Sequence, residues 1–267
     1  MSVHKEIKFE EAIEVALIDN GGVERGDPKT FDASQGLFPD DVIAFVKDSQ
    51  PSRWQALEDF HGTGAGEALV SSLTKELASK GTLNVLRHGF KCFGKTFRLA
   101  YFAPNTGMNP EATADYAKNR LRVYRQVHFS DKNPDLSLDV VLSVNGLPIV
   151  TMELKNPMTG QTVEHAKRQY RFDRDPREPI FTFKQRALVH FAVDPDLVSM
   201  TTKLAGKETV FLPFNRGGNH AAGNPPAAPG KYKTSYLWDD VLSRDSLMDI
   251  LARFLHLQVE ERQVGEQ

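Results

Sequence analysis

One stretch of the 267-residue chain decides its fold. It reads SLDVVLSV (137–144), then Asn145-Gly146, then LPIVTMELK (147–155). Two β-prone runs on either side of an Asn-Gly pair are a strong signal for an antiparallel hairpin. We therefore expect two paired strands here, with Asp139 in the first and Glu153 in the second.

The second strand carries a glutamate and a lysine two residues apart. Glu153 and Lys155 project from the same face, while Leu154 between them turns its side chain into the core. Hydrolysis of a phosphodiester by a divalent cation uses carboxylates as hard oxygen ligands, and a lysine can orient the attacking water or offset the developing charge. Asp139 and Glu153 are therefore candidate metal ligands, Lys155 is a candidate catalytic residue, and the backbone carbonyl of Leu154 is a further candidate ligand.

The triplet Glu-x-Lys is weak evidence by itself, since roughly one copy is expected by chance in a chain of this length. Glu6-Ile7-Lys8 is a second copy. The apolar strand around Glu153 distinguishes the later triplet, because a charge there is costly unless it is paired or binds a metal. The alternative is that Glu153 and Lys155 face solvent on a half-exposed strand.

A second aspartate competes with Asp139 as the partner of Glu153. Pro134-Asp135 is the literal Pro-Asp dipeptide, but it follows Lys132-Asn133 and is typical of a turn, where an aspartate usually caps the backbone. We prefer Asp139, which lies within the strand.

Strand register tests whether the two acids meet. A plain two-residue loop would put Asp139 opposite Met152 and would send Asp139 and Glu153 to opposite faces. A three-residue loop with a bulge at Gly146 pairs Asp139 with Thr151 and brings both acids to one face. The hypothesis of a nuclease therefore predicts the bulged loop.

The remaining pattern predicts an α/β chain. Helices are expected at 9–18, 39–47, 52–60, 66–79, 111–120, 162–172 and 242–257, strands at 97–101, 187–193, 198–202 and 209–214, and an exposed loop at 216–230. We expect a single domain over 1–267, mainly helical over about 1–80, with a sheet core over about 81–215 and a C-terminal helix within about 231–267. On the first helix, Glu10 borders the apolar stripe, Glu14 lies further round, and Glu11 faces away.

Composition limits the class of protein. The chain is 40% hydrophobic with a net charge of −2, and its single cysteine, Cys92, excludes an internal disulfide. It contains no apolar run of the roughly 18 residues that a membrane span needs, so we expect a cytoplasmic protein. The balanced charge limits any DNA contact to local clusters, for which 119–125 and 167–171 are candidates unless they form solvated faces. His190, in an apolar strand, is expected to be a core histidine.

At these residues the sequence resembles the N-terminal nuclease domain of the restriction (R) subunit of type I restriction enzymes, in the PD-(D/E)xK superfamily. The resemblance rests on the hairpin and extends to 169–171, 189–194, 211–215 and 234–238. It implies a restriction-endonuclease-like core, a mixed β-sheet flanked by helices with a helical N-terminal part.

The same resemblance implies site residues. Asp139 and Glu153 would bind one or two Mg²⁺ ions, Lys155 would be catalytic, and Glu10 would be the metal-binding acid of the first helix. Gln169 matches the glutamine of the helix after the lysine strand. The tyrosine expected four residues later is Asp173 here.

The implied activity is that of a type I site-specific deoxyribonuclease that hydrolyses double-stranded DNA together with modification and specificity subunits. An ATP-driven motor follows this domain in that family. This chain has no phosphate-binding loop of the motor type, since Gly62–Gly66 does not match one, so ATP would act only through a motor domain absent from this chain. Two alternatives stay open: a stand-alone PD-(D/E)xK repair nuclease, and a catalytically idle docking module in which Asp139 turns away from Glu153.

Overall fold

A computed structural model describes residues 3–104, 109–156, 160–218 and 222–257, with side chains from residue 8 onward. The helices are α1 (Val3–Asp19), α2 (Pro39–Ser49), α3 (Pro51–His61), α4 (Ala65–Lys80), α5 (Thr82–His88), α6 (Pro110–Ala117), α7 (Val163–Phe172) and α8 (Arg244–Asp249). The strands are β1 (Glu24–Arg25), β2 (Phe90–Cys92), β3 (Lys95–Phe97), β4 (Leu121–His128), β5 (Ser137–Val144), β6 (Leu147–Leu154), β7 (Val189–Val193), β8 (Val198–Thr201) and β9 (Leu212–Pro213).

Seven of the described strands form one mixed sheet in the order β1-β4-β5-β6-β7-β8-β9, and β2 and β3 form a separate hairpin. The pairs β1–β4 and β6–β7 are parallel, and the other neighbours are antiparallel. Helices flank the sheet, so the expected α/β fold is confirmed. None of the described helices has the length and apolar character needed to cross a bilayer.

The central strand β6 is covered on both faces. Met152 belongs to the same apolar cluster as Phe9 and Ile13 of α1, whereas the Thr151 hydroxyl lies 2.8 Å from the Tyr170 hydroxyl of α7. Neighbouring side chains of a strand point to opposite faces, so α1 and α7 pack on opposite sides of β6. All eight residues of β6 are buried, and a charged side chain here is removed from water.

The hairpin has a two-residue turn, so the prediction of a three-residue loop is wrong. Val144 pairs directly with Leu147, and both turn residues have positive φ, 51° at Asn145 and 85° at Gly146. Positive φ at both positions defines a type I′ turn, whose twist matches that of the strands it joins. A Cβ on Gly146 would lie 2.6 Å from the Phe38 carbonyl oxygen, so the packing of this turn requires glycine.

The bulge lies inside β6 instead of in the loop. Ser143 pairs with Pro148 and Leu142 pairs with Val150, which leaves Ile149 as an extra residue. Proline has no N–H to donate to the strand ladder, so an interior proline is expected at a bulge. Beyond the bulge Val140 pairs with Met152, and the same register continued by one residue places Asp139 opposite Glu153. The two acids therefore share a face, as the nuclease hypothesis requires, through a different bulge.

Most predicted helices lie within a few residues of the observed ones, but 111–120 ends early at Ala117. The strand β4 was not predicted, since the arginines of 119–125 obscure the alternation of its buried residues. The predicted strand 97–101 ends at Phe97 because side chains bond the backbone that follows. Gln50 bonds both the N–H and the carbonyl of Arg98, and Asn119 does the same for Tyr101.

Two predicted elements near the C-terminal end are shorter or interrupted. The strand expected at 209–214 is reduced to β9, where Leu212 and Pro213 pair with β8 and the proline limits the ladder. The helix expected at 242–257 is divided into α8 and a π-helical turn, Ile250–Phe254. The rest of the predicted C-terminal segment, 258–267, lies outside the described residues, as do 219–221 of the predicted loop.

Candidate active site

Asp139 lies at the open end of the hairpin and is partly exposed. Its Oδ2 accepts a hydrogen bond from the Leu154 backbone N–H at 2.7 Å, and its Oδ1 accepts one from Gln126 Nε2 at 3.3 Å. The bond to Leu154 ties the carboxylate of β5 to the end of β6. The backbone carbonyl of Leu154 remains a candidate ligand beside this contact.

Glu153 is fully buried opposite Asp139. Its Oε1 accepts a hydrogen bond from Arg174 Nε at 2.6 Å, while its Oε2 has no hydrogen-bond partner among the described residues. Arg174 also donates to the Ser137 carbonyl at 2.9 Å. Burial, and then the charge of Asp139, raise the pKa of Glu153 to about 8, although Arg174 and Lys155 act in the opposite direction. Glu153 is therefore a carboxylate whose negative charge is poorly compensated.

Glu10 is buried beside the same centre. Its Oε1 accepts a hydrogen bond from Gln126 Nε2 at 2.9 Å, and its Oε2 accepts one from Arg125 Nε at 3.4 Å. Burial and the charge of Asp139 raise the pKa of Glu10 to about 7. Glu14 is also buried but is paired with Arg25 at 3.1 Å and Arg125 at 3.3 Å. Of these two acids, Glu10 is the one connected to Asp139.

Lys155 follows directly after β6. Its backbone N–H donates to the Val193 carbonyl at 2.9 Å, which fixes the chain as it leaves the strand. The lysine is partly exposed, and its charge acts on Glu153. The structure thus brings Asp139, Glu153 and Lys155 into one electrostatic group.

An open cleft of about 630 Å³ borders the site, and Asp139, Gln169 and Arg174 line it. Gln169 lies on α7 and is partly exposed toward this cleft. Arg174 connects the cleft to the buried Glu153. The competing acid Asp135 also lines the cleft, but it lies outside β5, and its place in the turn is the one that the sequence predicts.

The predicted metal ligands are not gathered into one cluster. Among the residues that the structure describes, no three histidine, cysteine, aspartate or glutamate side chains are close enough together to hold a metal ion. Gln126 lies between Glu10 and Asp139, and Arg174 bonds Glu153. Hydrogen-bond donors therefore contact each of the three candidate carboxylates.

The two basic clusters are largely engaged within the protein. Arg120 pairs with Asp48 and Arg122 with Asp41 and Glu24. In the second cluster, Lys167 pairs with Glu164 at 2.6 Å, and Arg171 donates to a backbone carbonyl at 3.1 Å. These contacts are structural ion pairs and, for Arg171, a hydrogen bond from a side chain to the backbone.

His190 is a core histidine, as predicted. It is 1% exposed, its Nδ1 lies 2.8 Å from the Thr151 hydroxyl, and burial lowers its pKa to about 3. The ring is therefore neutral at physiological pH and supports the face of β6 that also carries Glu153.

Sequence reasoning missed Gln126 and Arg174, two of the side chains that contact the acids. Arg174 lies 21 positions from Glu153 and Gln126 lies 116 positions from Glu10, so no short spacing links them. No signal in the sequence points to these two contacts. The register of the hairpin did have a usable signal, because Pro148 inside an apolar strand predicts the bulge that sets it.

The mixed sheet with two acids at the open end of its central hairpin defines an α/β protein with a nuclease-like fold. The family model for the type I restriction enzyme R protein N terminus matches residues 55–209, more than half of the chain. The protein belongs to this family. The matched range includes Asp139, Glu153, Lys155 and Gln169 and excludes Glu10. A search of curated proteins found no match.

Proposed function

We propose that this R-protein domain is a Mg²⁺-dependent endonuclease that hydrolyses DNA phosphodiester bonds at the open end of the hairpin. One observation carries the proposal: Glu153 is fully buried opposite Asp139, and one of its oxygens has no hydrogen-bond partner among the described residues. A buried carboxylate of this kind costs free energy unless a ligand compensates its charge.

The chemistry of the donor set fits a hard divalent cation. Asp139, Glu153 and Glu10 offer carboxylate oxygens and Leu154 offers a carbonyl, which are the ligand types that Mg²⁺ prefers. Burial raises the pKa of both Glu153 and Glu10, so a nearby positive charge would favour their ionised forms. When bound, Mg²⁺ would polarise the phosphate and lower the pKa of an attacking water. We propose that these residues hold one or two Mg²⁺ ions.

The protein's own groups would act on charge and position. The Lys155 ammonium, already coupled to Glu153, would offset negative charge that develops on the phosphate and orient the attacking water. Gln169, on the cleft wall, would donate a hydrogen bond to a phosphate oxygen of the bound strand. Arg174 would keep the Glu153 carboxylate in place from its position at the cleft.

The proposed partners are based on membership of the family and not on a surface of this structure. We propose double-stranded DNA as substrate and the modification and specificity subunits of a type I restriction complex as partners, with ATP used only by a separate motor domain. Delivery of DNA by such a complex agrees with the net charge of −2, because a nuclease that binds DNA alone needs a larger basic surface. An idle docking module would have Asp139 turned away from Glu153. The register of β5 and β6 instead favours the proposed nuclease, because it places the two acids opposite each other.

A plasmid-nicking assay tests the proposal. Supercoiled plasmid is incubated with the wild type, Asp139→Asn, Glu153→Gln and Lys155→Ala in Mg²⁺, in Mn²⁺ and in EDTA. We expect metal-dependent nicking that each substitution reduces by about 100-fold or more, as loss of a group that stabilises transition-state charge does. Glu208→Gln, which changes an exposed carboxylate paired with Lys207, is the matched control and should cleave like the wild type.

Two outcomes would refute the proposal. Equal nicking by all variants would assign the cleavage to a contaminant. If the wild type neither binds Mn²⁺ in calorimetry nor nicks the plasmid, the proposed metal centre is refuted.

A further inference from the structure

A cavity of about 520 Å³ lies at the other end of the sheet from the candidate active site. Leu188, just before β7, lines it, and the Leu188 N–H donates to the Ile149 carbonyl at 2.8 Å. Glu153 lies four residues further along β6 than Ile149, a span of roughly 13 Å in a strand. The cavity is therefore separate from the carboxylates of the proposed nuclease.

The titratable side chains that line this cavity, among the described residues, are all basic. They are Lys80, Arg87, His88, Lys184 and His256. Lys80 pairs with Glu76 at 2.6 Å, but Arg87 donates to two backbone carbonyls, which carry no net charge, and the ion pairs of the described residues do not include Lys184. The sequence between 77 and 110 contains neither aspartate nor glutamate. The cavity therefore keeps a positive charge that the protein itself does not neutralise.

Apolar side chains supply much of the remaining lining. Three of them are the half-buried leucines Leu83, Leu188 and Leu255. Phe183 also lines the cavity and is 39% exposed, and Lys203 Nζ lies 5.4 Å from the centroid of its ring. Binding sites for small molecules are typically cavities of about 300–1,000 Å³ with an apolar lining and a few polar groups. The size and lining of this cavity match that description.

Two sets of hydrogen bonds hold the walls of the cavity in place. The Lys184 carbonyl accepts a hydrogen bond from the Thr82 N–H at 2.7 Å, which joins the turn before β7 to the first residue of α5. Arg87 of α5 donates to the carbonyls of Leu251 and Leu255 at 2.9 and 2.8 Å, which fixes the third wall. A ligand therefore enters a cavity that is already formed, and little free energy is lost in ordering the site.

We propose that this cavity binds a nucleotide, with the phosphate against the basic side chains and the base against Phe183 and the leucines. Basic groups form strong charge-assisted hydrogen bonds with phosphate, and an aromatic ring stacks on any base. The Asn84 amide and the Thr202 hydroxyl, which also line the cavity, offer hydrogen bonds to the base or the sugar. A fatty acid would suit the leucines, but its single carboxylate would leave most of the basic groups unused. The nucleotide is either free in solution or one unit of a DNA strand, since both present the same groups.

Calorimetric titration in EDTA tests the proposal without metal-dependent cleavage. The probes are dAMP, dADP and a short single DNA strand, with inorganic phosphate and octanoate for comparison. We expect Lys184→Gln to weaken nucleotide binding by about 10-fold, because it removes a charged partner of the phosphate. Phe183→Leu should weaken it by at least about 5-fold, because it removes the ring that stacks on the base. Both side chains are exposed, so the melting temperatures of the variants should stay close to that of the wild type.

Two control variants separate this site from general charge and from the nuclease. Lys207→Gln removes an exposed lysine that does not line the cavity, and its nucleotide affinity should equal that of the wild type. Asp139→Asn alters the proposed metal centre at the other end of the sheet and should also bind nucleotide like the wild type. Nucleotide binding and nicking can therefore fail independently of each other.

The probes also identify the source of the ligand. Binding of dAMP or dADP that both cavity variants weaken would support a free nucleotide, and the same pattern with the DNA strand alone would support a unit of a strand. Three results would overturn the proposal: no binding of any nucleotide probe, unchanged affinity in Lys184→Gln, or binding of inorganic phosphate or octanoate as tight as that of the nucleotides.

Discussion

The two ends of the β5–β6 hairpin are built in opposite ways. At the turn, the buried Asn145 has its polar groups matched: its Oδ1 accepts from the Arg120 N–H, and its Nδ2 donates to the Leu99 carbonyl and to Asn119 Oδ1. At the open end, Glu153 is equally buried, but one carboxylate oxygen has no partner among the described residues. The buried polar side chain at the turn thus makes all of these hydrogen bonds, whereas the buried carboxylate at the open end lacks a partner for one oxygen.

This difference shows where the hairpin gains stability and where it carries the site of the proposed function. A buried polar group that makes its hydrogen bonds contributes to stability, whereas a buried charge with incomplete partners costs free energy. Proteins keep such destabilising groups at functional sites, and interactions elsewhere in the structure offset the loss of stability. The turn end stabilises the strand register that places Asp139 opposite Glu153 at the open end.

The largest expected effect comes from breaking the open end at Arg174. Arg174→Ala should lower the free energy of unfolding by about 3–5 kcal/mol at pH 9, above the pKa of about 8, because the ionised and buried Glu153 then loses its partner. Urea unfolding of the purified protein measures this loss, and Glu153→Gln in the same chain should recover most of it. Arg177, which pairs with Asp175 on the surface nearby, is the control, and Arg177→Ala should leave stability unchanged. An Arg174→Ala protein as stable as the wild type would contradict our account of the open end.

The turn end is tested by a single added methyl group. Gly146→Ala should cost about 2–4 kcal/mol, because a Cβ would lie 2.6 Å from the Phe38 carbonyl oxygen and 2.7 Å from the Val42 nitrogen, and because φ is 85°. Urea unfolding again provides the measurement. Gly64→Ala is the matched control, since φ there is −84° and nothing lies within 4 Å of the added carbon. Equal stability of the two variants would show that the turn is less tightly packed than described.

The smallest effect is a difference in pH dependence. Folded Glu153 retains a proton up to its pKa of about 8, while the unfolded chain releases it near the ordinary value of 4.5, so stability should fall as pH rises between these values. Glu10, with its pKa raised to about 7, contributes in the same direction. In EDTA, Glu153→Gln should reduce the loss of stability between pH 5 and pH 8 by at least about 1 kcal/mol. Urea unfolding at several pH values tests this, with Glu208→Gln expected to follow the wild type. A stability that rises over this range would show that Arg174 keeps Glu153 ionised.

Local sequence was enough to predict the hairpin, its acids and its lysine. The alternation of strand side chains and the Asn-Gly pair depend only on neighbouring residues, so Asp139, Glu153 and Lys155 were identifiable without any long-range information. The turn type was predicted incorrectly because the bulge was assigned to the loop. Pro148 marks its true position, inside a strand that cannot pair regularly where an N–H is missing.

The sequence by itself therefore determined which residues are the candidates for the proposed chemistry, because strand periodicity and residue type are local properties. Only the tertiary structure decided how those residues are held. Arg174 reaches Glu153 from beyond α7, Glu10 reaches the site from α1, and Gln126 adopts a strained backbone between Glu10 and Asp139. Contacts between residues far apart in sequence depend on how helices and sheet pack, and no local pattern records that packing.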